Sequence, residues 1–174
     1  RLLELWKTCF SASDSELDFF FGRLFRAKNT WIYEEGGQIL AMLYVLPYMI
    51  AYFGKSYPIH YFYGIGTDPQ ARGRGLAGAL ISHAKEKARE EGAPFCFLVP
   101  QSESLFSYYE RFGFLPLVLR SLPTCEPIGF QRADYKDIPR LNQMYEHALL
   151  CRPHPIRTCE EWKILLDEMK EVLL

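Results

Sequence analysis

Residues 63–79 read YGIGTDPQARGRGLAGA, and the fold follows from what stands on either side of that run. Aromatic and β-branched residues dominate positions 60–67, which predicts a strand. Pro69 marks a turn, and glycines then alternate with arginines. Over residues 75–91 the period changes. Ala77, Leu80, Ile81, Ala84 and Ala88 share one helical face, while Lys85, Glu86, Arg89 and Glu90 fall elsewhere. The first N–H groups of such a helix lack intrahelical acceptors. Gly73 and Gly75 admit close approach of a ligand to the backbone, and the helix dipole favours an anion there by about 0.3–1 kcal/mol per charge. Arg72 and Arg74 add positive charge, so a pyrophosphate suits the loop.

The kind of nucleotide can be narrowed. The loop lacks the Lys-Ser/Thr ending of a Mg-ATP phosphate loop. Gly73, Gly75 and Gly78 match the G-x-G-x-x-G spacing of dinucleotide-binding folds. In those folds the first strand opens the domain and an acidic residue ends the next one. Here several strands come first and no acid closes the strand at Val99.

Downstream, Gly92 and Pro94 stop the helix, and residues 95–99 form a short, continuously apolar strand of the buried parallel kind. A helix over residues 102–112 ends at Gly113, and residues 117–122 read as another strand. Strand, helix and strand at these lengths make a right-handed βαβ crossover. Upstream, helices are predicted over residues 1–10, with Leu2, Leu3 and Trp6 on one side, and over residues 14–25, capped by Ser13. Strands over 30–33 and 38–46 flank a Gly36-Gly37 hairpin turn. Pro47 interrupts the second strand, residues 48–53 resume it, and Gly54-Lys55 turns the chain. The expected fold class is α/β in the α+β sense: a mixed, mostly antiparallel sheet with one parallel pair and flanking helices.

Residues 123–128 have linker composition, separating a domain over 1–122 from residues 129–174. There a strand at 129–133 precedes a helix capped by Asp134 with Asp137, and a second helix opens at Thr158 with Glu161 completing a capping box. This tail reads as the start of a second domain, or as the final strand and helices of the first. The chain opens on Arg1 rather than Met, so the expectation is of a piece of a longer protein.

Lys and Arg number 20 against 21 Asp and Glu, a net charge of −1, which argues against nucleic acid as the main partner. No signal peptide or membrane span is legible, and a cytoplasmic location is expected. The five cysteines are odd in number and form no C-x-x-C pair, so they read as reduced thiols and no metal site is expected.

The loop closely resembles the acyl-CoA loop of the GNAT superfamily, Gln/Arg-x-x-Gly-x-Gly/Ala, here Arg72-x-x-Gly75-x-Ala77 preceded by Asp68-Pro69. The run Ser-Tyr-Tyr-Glu-Arg-Phe-Gly-Phe at 107–114 is similar to that family's tyrosine-to-Gly-Phe signature, with the tyrosine at Tyr109. Within the superfamily the chain looks most like the Eis-type tandem acetyltransferases. The Pro47-broken hairpin, the Tyr-x-Arg-Phe-Gly run and a tail carrying Arg157 and Trp162 fit that group.

The resemblance implies acetyl transfer from acetyl-CoA to a primary amine by direct attack. It implies that the loop residues Arg72, Gly73, Arg74, Gly75, Leu76 and Ala77 hold the pyrophosphate. Backbone groups of Ile65 and Thr67 would bind the pantetheine arm between two splayed parallel strands, and Tyr109 would be the general acid. His60 is the candidate base on a strand that lacks the glutamate many members carry there. In Eis-type enzymes the base is the distal C-terminal carboxylate, which by this resemblance would lie beyond Leu174. The acceptor expected is a small-molecule or peptide amine, with no membrane partner and a homo-oligomer left open. A module that holds acyl-CoA without catalysis is the alternative. Cys96, a conceivable acyl carrier, reads as a core residue, and Asp68 as a turn residue.

Overall fold

A computed structural model describes residues 1–116, 133–149 and 154–172. The chain divides into two compact units, Arg1–Tyr48 with Pro58–Pro116, and Met49–Tyr57 with Leu117–Leu174. The strands expected at 117–122 and 129–133 and the linker at 123–128 fall outside the described residues, apart from Ala133.

The first unit is organised by strands β1 (Thr30–Glu35), β2 (Gln38–Tyr52), β3 (Lys55–Thr67) and β4 (Cys96–Leu98), in the spatial order β1-β2-β3-β4. β1 runs antiparallel to β2, and β4 runs parallel to β3, so the sheet is mixed as expected. Two-residue turns join the hairpins. Gly36 and Gly37 both take positive φ, as do Phe53 and Gly54 at the next turn. The second turn therefore falls one residue before the expected Gly54-Lys55, with a phenylalanine held in a conformation usually left to glycine.

β2 is buried on both faces, and its period of two sorts its side chains. Ala41, Leu43 and Val45 join Phe62 and the buried residues of α3 (Leu76–Glu90) and α4 (Phe106–Glu110). Met42 and Tyr44 join Leu5 and Trp6 of α1 (Leu2–Cys9) and Leu17 of α2 (Asp14–Phe19). Burying each such leucine or phenylalanine contributes about 1.5–3 kcal/mol. Pairing with β1 shifts register between Tyr33 (opposite Ala41) and Glu34 (opposite Ile39), leaving Leu40 as an extra bulged residue.

Several expectations are corrected. Pro47 does not break β2, because it lies between the stretch that pairs with β1, ending at Tyr44, and the stretch around Ile50 that pairs with β5 (His154–Pro155); a missing N–H is tolerated there. On α1 the buried residues are Leu5 and Trp6, whereas Leu3 is exposed. The helix begun at Ser13, with its Glu16 capping box in place, ends as a π-helical turn over Phe20–Leu24. β4 is not buried on both faces: Phe95 and Val99 beside it, and Phe97 within it, are exposed.

In the second unit α5 (Ile138–Ala148) and α6 (Cys159–Val172) share a core of Ile138, Trp162 and Leu166. Both expected capping boxes form, Asp134 with Asp137 and Thr158 with Glu161. Trp162 Nε1 donates to Asn142 Oδ1 at 2.8 Å.

Candidate active site

The loop between β3 and α3 is built by short-range hydrogen bonds. Asp68 N–H donates to the carbonyl of the bulged Leu40 at 2.8 Å, anchoring the loop where β3 ends. Asp68 Oδ1 accepts from Gln70 N–H at 2.8 Å, and Pro69 opens a single 3₁₀ turn that buries Ala71. Asp68 is thus a turn-forming residue. Gly75 is the N-cap of α3, in the left-handed region at φ 79°, and Gly73 sits at φ 81°. A Cβ at either glycine would meet nothing within 4 Å, so the space in front of the loop is open. Leu76 is buried in the core and pins the first turn of the helix. The N–H groups of Leu76 and Ala77 belong to that first turn and have no intrahelical acceptor.

Charge around the loop is already engaged within the chain. Arg72 Nε donates to the Thr67 carbonyl at 3.4 Å, and the same carbonyl accepts from the Cys9 thiol at 3.5 Å. Arg74 donates to both carboxylate oxygens of Glu35 at 3.1 and 3.0 Å. Neither Cys9 nor Glu35 was legible as a loop neighbour in sequence, being separated from their partners by 58 and 39 residues.

The parallel pairing of β3 and β4 covers three positions: His60 opposite Cys96, Tyr61 opposite Phe97, Phe62 opposite Leu98. Beyond Phe62, β3 continues through Ile65 to Thr67, and no described residue of β4 pairs with it. Among the described residues, the backbone of this segment is therefore open along one edge, leading to the glycine loop.

Tyr109 lies on α4 and is 9% exposed, packed in the same core as Phe62, Leu76 and Leu80. Burial, then the neighbouring Tyr108 phenol, raises its pKa above the ordinary tyrosine value. The Gly-Phe signature folds back on it, since the N–H groups of Phe112 and Phe114 both donate to its carbonyl. Gly78 makes the docking of this turn possible: a Cβ there would sit 2.8 Å from the Phe112 ring. Lys85 closes the arrangement by donating to the Phe112 carbonyl.

His60 stands apart from these groups. It is buried, its Nε2 lies 3.2 Å from Glu91 Oε2 near the end of α3, and burial lowers its pKa against the opposing pull of Glu91. Thr67 lies seven positions further along β3. Cys96 is half-buried, and burial pushes its thiol up, away from the reactive thiolate. Among the described residues no group of three or more metal-binding side chains converges, and no helix is long and apolar enough to cross a membrane.

A mixed sheet whose parallel pair opens toward a glycine-capped helix start defines an α/β protein. The family described as Acetyltransferase (GNAT) domain matches residues 1–117, and the chain belongs to it. No curated protein sequence matches. Among solved structures, a conserved protein of unknown function from Enterococcus faecalis V583, described as a "Probable N-Acyltransferase", is 16% identical with a TM-score of 0.55, over 64% of this chain and 28% of that one. A GCN5-related N-acetyltransferase from Anabaena variabilis ATCC 29413 is 27% identical with a TM-score of 0.52, over 62% of this chain and 27% of that one. A predicted acetyltransferase from Clostridium acetobutylicum, solved with acetyl-CoA, is 23% identical with a TM-score of 0.54, over 71% of this chain and 87% of that one. The match thus spans little more than a quarter of the first two proteins.

Proposed function

We propose that the chain carries the catalytic domain of an N-acetyltransferase that moves an acetyl group from acetyl-CoA to a primary amine. The observation that supports this most is the open edge of β3 running into the uncovered N-terminus of α3. Leu76 and Ala77 would offer N–H groups to the pyrophosphate, Gly73 and Gly75 leave room for it, and Arg72 and Arg74 supply charge. Arg74 would exchange its Glu35 contact for phosphate oxygen. The backbone at Ile65 and Thr67 would line the path of the pantetheine arm.

Chemically, the amine nitrogen forms a bond to the acetyl carbon, the carbon–sulfur bond breaks, and the leaving sulfur takes a proton. Tyr109 suits the last task, because burial keeps its hydroxyl protonated at neutral pH. Direct attack in a ternary complex is favoured over an acyl-cysteine route by the raised pKa of Cys96. We assign the Eis-type, tandem architecture as the subtype. Support for it comes from two neighbours that carry this domain as about a quarter of a longer chain.

The placement of His60 against Glu91 favours one rival, an acyl-CoA-binding module without turnover. Incubating the chain with acetyl-CoA and a panel of amines, and following free thiol, separates the two. Amine-dependent thiol release is expected; tight acetyl-CoA binding with no release from any amine would establish the silent module.

A further inference from the structure

The sheet face opposite α3 carries an aromatic stripe that the loop chemistry leaves unexplained. Tyr61 and Phe97, register partners across β3 and β4, stack with ring centroids 4.6 Å apart and planes within 7°. Tyr63 follows at 5.6 Å from Tyr61, and Trp6 lies 5.7 Å beyond Tyr63. Tyr63 packs against the core formed by α1 and α2, whereas Tyr61 and Phe97 lie outside that core. Phe97 is 36% exposed and its strand neighbour Val99 is 70% exposed. The stripe thus runs from a filled core onto an open shelf. That shelf sits at the middle of the three paired positions, one pair before β3 and β4 part.

No charged side chain figures among the influences on the Tyr61 end of the shelf. Burial, and then two further phenols, Tyr63 and Tyr48, push the Tyr61 hydroxyl up to about 12. Aromatic faces present negative charge density to an ammonium group and stack on flat apolar bodies. A polycation would instead need carboxylates to hold its several charges.

Resting on the acetyl-transfer reading, we propose that the Tyr61–Phe97 shelf receives the acceptor, and that the acceptor is an arylalkylamine: a primary amine on a short linker from an aromatic ring. Its ring lies over Phe97 and Tyr61, and its nitrogen points along β3 toward the opening between the strands. The same shelf selects against polyamines, which gain nothing from stacking.

The test uses the 174-residue chain with phenethylamine and spermidine as probes, titrated by calorimetry with and without CoA. Stacking predicts that phenethylamine binds tighter than spermidine by about tenfold. Phe97→Ala should weaken phenethylamine binding by about fivefold to tenfold and leave spermidine where it was. In turnover the same variant should raise the KM for phenethylamine with kcat retained. Phe97 is partly exposed, so the variant is expected to fold, and circular dichroism checks this; Tyr61→Leu repeats the measurement from the other strand. Spermidine binding as tightly as phenethylamine, or full phenethylamine affinity in both variants, overturns the proposal. Failure of the wild-type chain to bind acetyl-CoA, with phenethylamine binding still dependent on Phe97, would overturn the acetyl-transfer reading and leave the shelf standing.

Discussion

Gly64 lies directly under the indole of Trp6: a Cβ at that position would sit 2.5 Å from ring atoms Cη2 and Cζ3. The glycine also has φ 57°, the left-handed region. Trp6 in turn stacks on Phe20 at 4.3 Å, so it cannot retreat without disturbing the core on that face. An indole packed onto bare backbone thus supports β3 at the point where β4 has left it. Gly64→Ala is expected to destabilise the protein by about 2–4 kcal/mol, from overpacking plus left-handed strain. Urea unfolding followed by tryptophan fluorescence measures this. Adding Trp6→Leu should recover part of the loss that the two single changes would sum to, whereas strict additivity would mean the ring is not the obstacle.

Gly75 is a glycine for a different reason. Its φ of 79° carries the strain, while the space where a Cβ would go is empty. Gly75→Glu should therefore cost only about 1–2 kcal/mol of stability, yet weaken acetyl-CoA binding about 100-fold or more, equivalent to about 2.7 kcal/mol. The carboxylate would project toward the pyrophosphate's place. Gly75→Ala pays the strain without the charge and should lose far less affinity. Equal affinity of wild type and Gly75→Glu by calorimetry would move the phosphate site elsewhere.

Local rules were the legible part of this chain. The cap at Ser13 and the capping boxes at Asp134 and Thr158 depend on residues at most three positions away, and all three form. The Gly36-Gly37 turn and the βαβ crossover around α3 depend on local chemistry and period, and they form as well. What sequence did not reveal depends on distant partners. The bulge at Leu40 is set by register against β1 and by the Asp68 N–H, 28 positions on. His60 reads as a free imidazole on a strand until Glu91 arrives from the end of α3. The alternation that puts Tyr61 and Phe97 on one face could be counted in sequence, but their stacking requires knowing that β3 and β4 pair in that register.

Tyr109 is buried, and the influences on its hydroxyl are burial and the Tyr108 phenol. Tyr109→Phe keeps the ring in its core and removes only the proton donor. Turnover should fall by about 10²- to 10⁴-fold, with acetyl-CoA affinity and the unfolding midpoint close to wild type. A variant retaining wild-type kcat would make Tyr109 a packing residue.

His60 makes stability depend on pH in a direction its burial fixes. Its pKa is lowered in the folded protein from 6.5, so the unfolded chain binds the proton more readily. The neutral imidazole's contribution is present above about pH 6.5 and is lost as pH falls through the lower folded value. Glu91 opposes this by favouring the charged form, but burial is the larger influence. Thermal unfolding should show the wild type losing more stability between about pH 7.5 and 5.5 than His60→Gln does. Parallel curves for the two proteins would show that His60 is not the group responsible.

The pH dependence of turnover locates the missing base. An alkylammonium has a pKa near 10, so at pH 7 only about one molecule in a thousand is the free amine. His60 would be the local candidate, yet it is buried against Glu91 and, as the strand neighbour of Tyr61, faces the other side of the sheet. With no local base, kcat/KM for the amine should rise about tenfold per pH unit between pH 7 and 9, tracking the free-amine fraction. Tyr109 does not interrupt that rise, because its pKa is raised above 10.0 and it remains a proton donor throughout the range. His60→Ala should leave the slope as it is. A flat profile from pH 7 upward in the wild type, converted to a steep one by His60→Ala, would place the base at His60 after all.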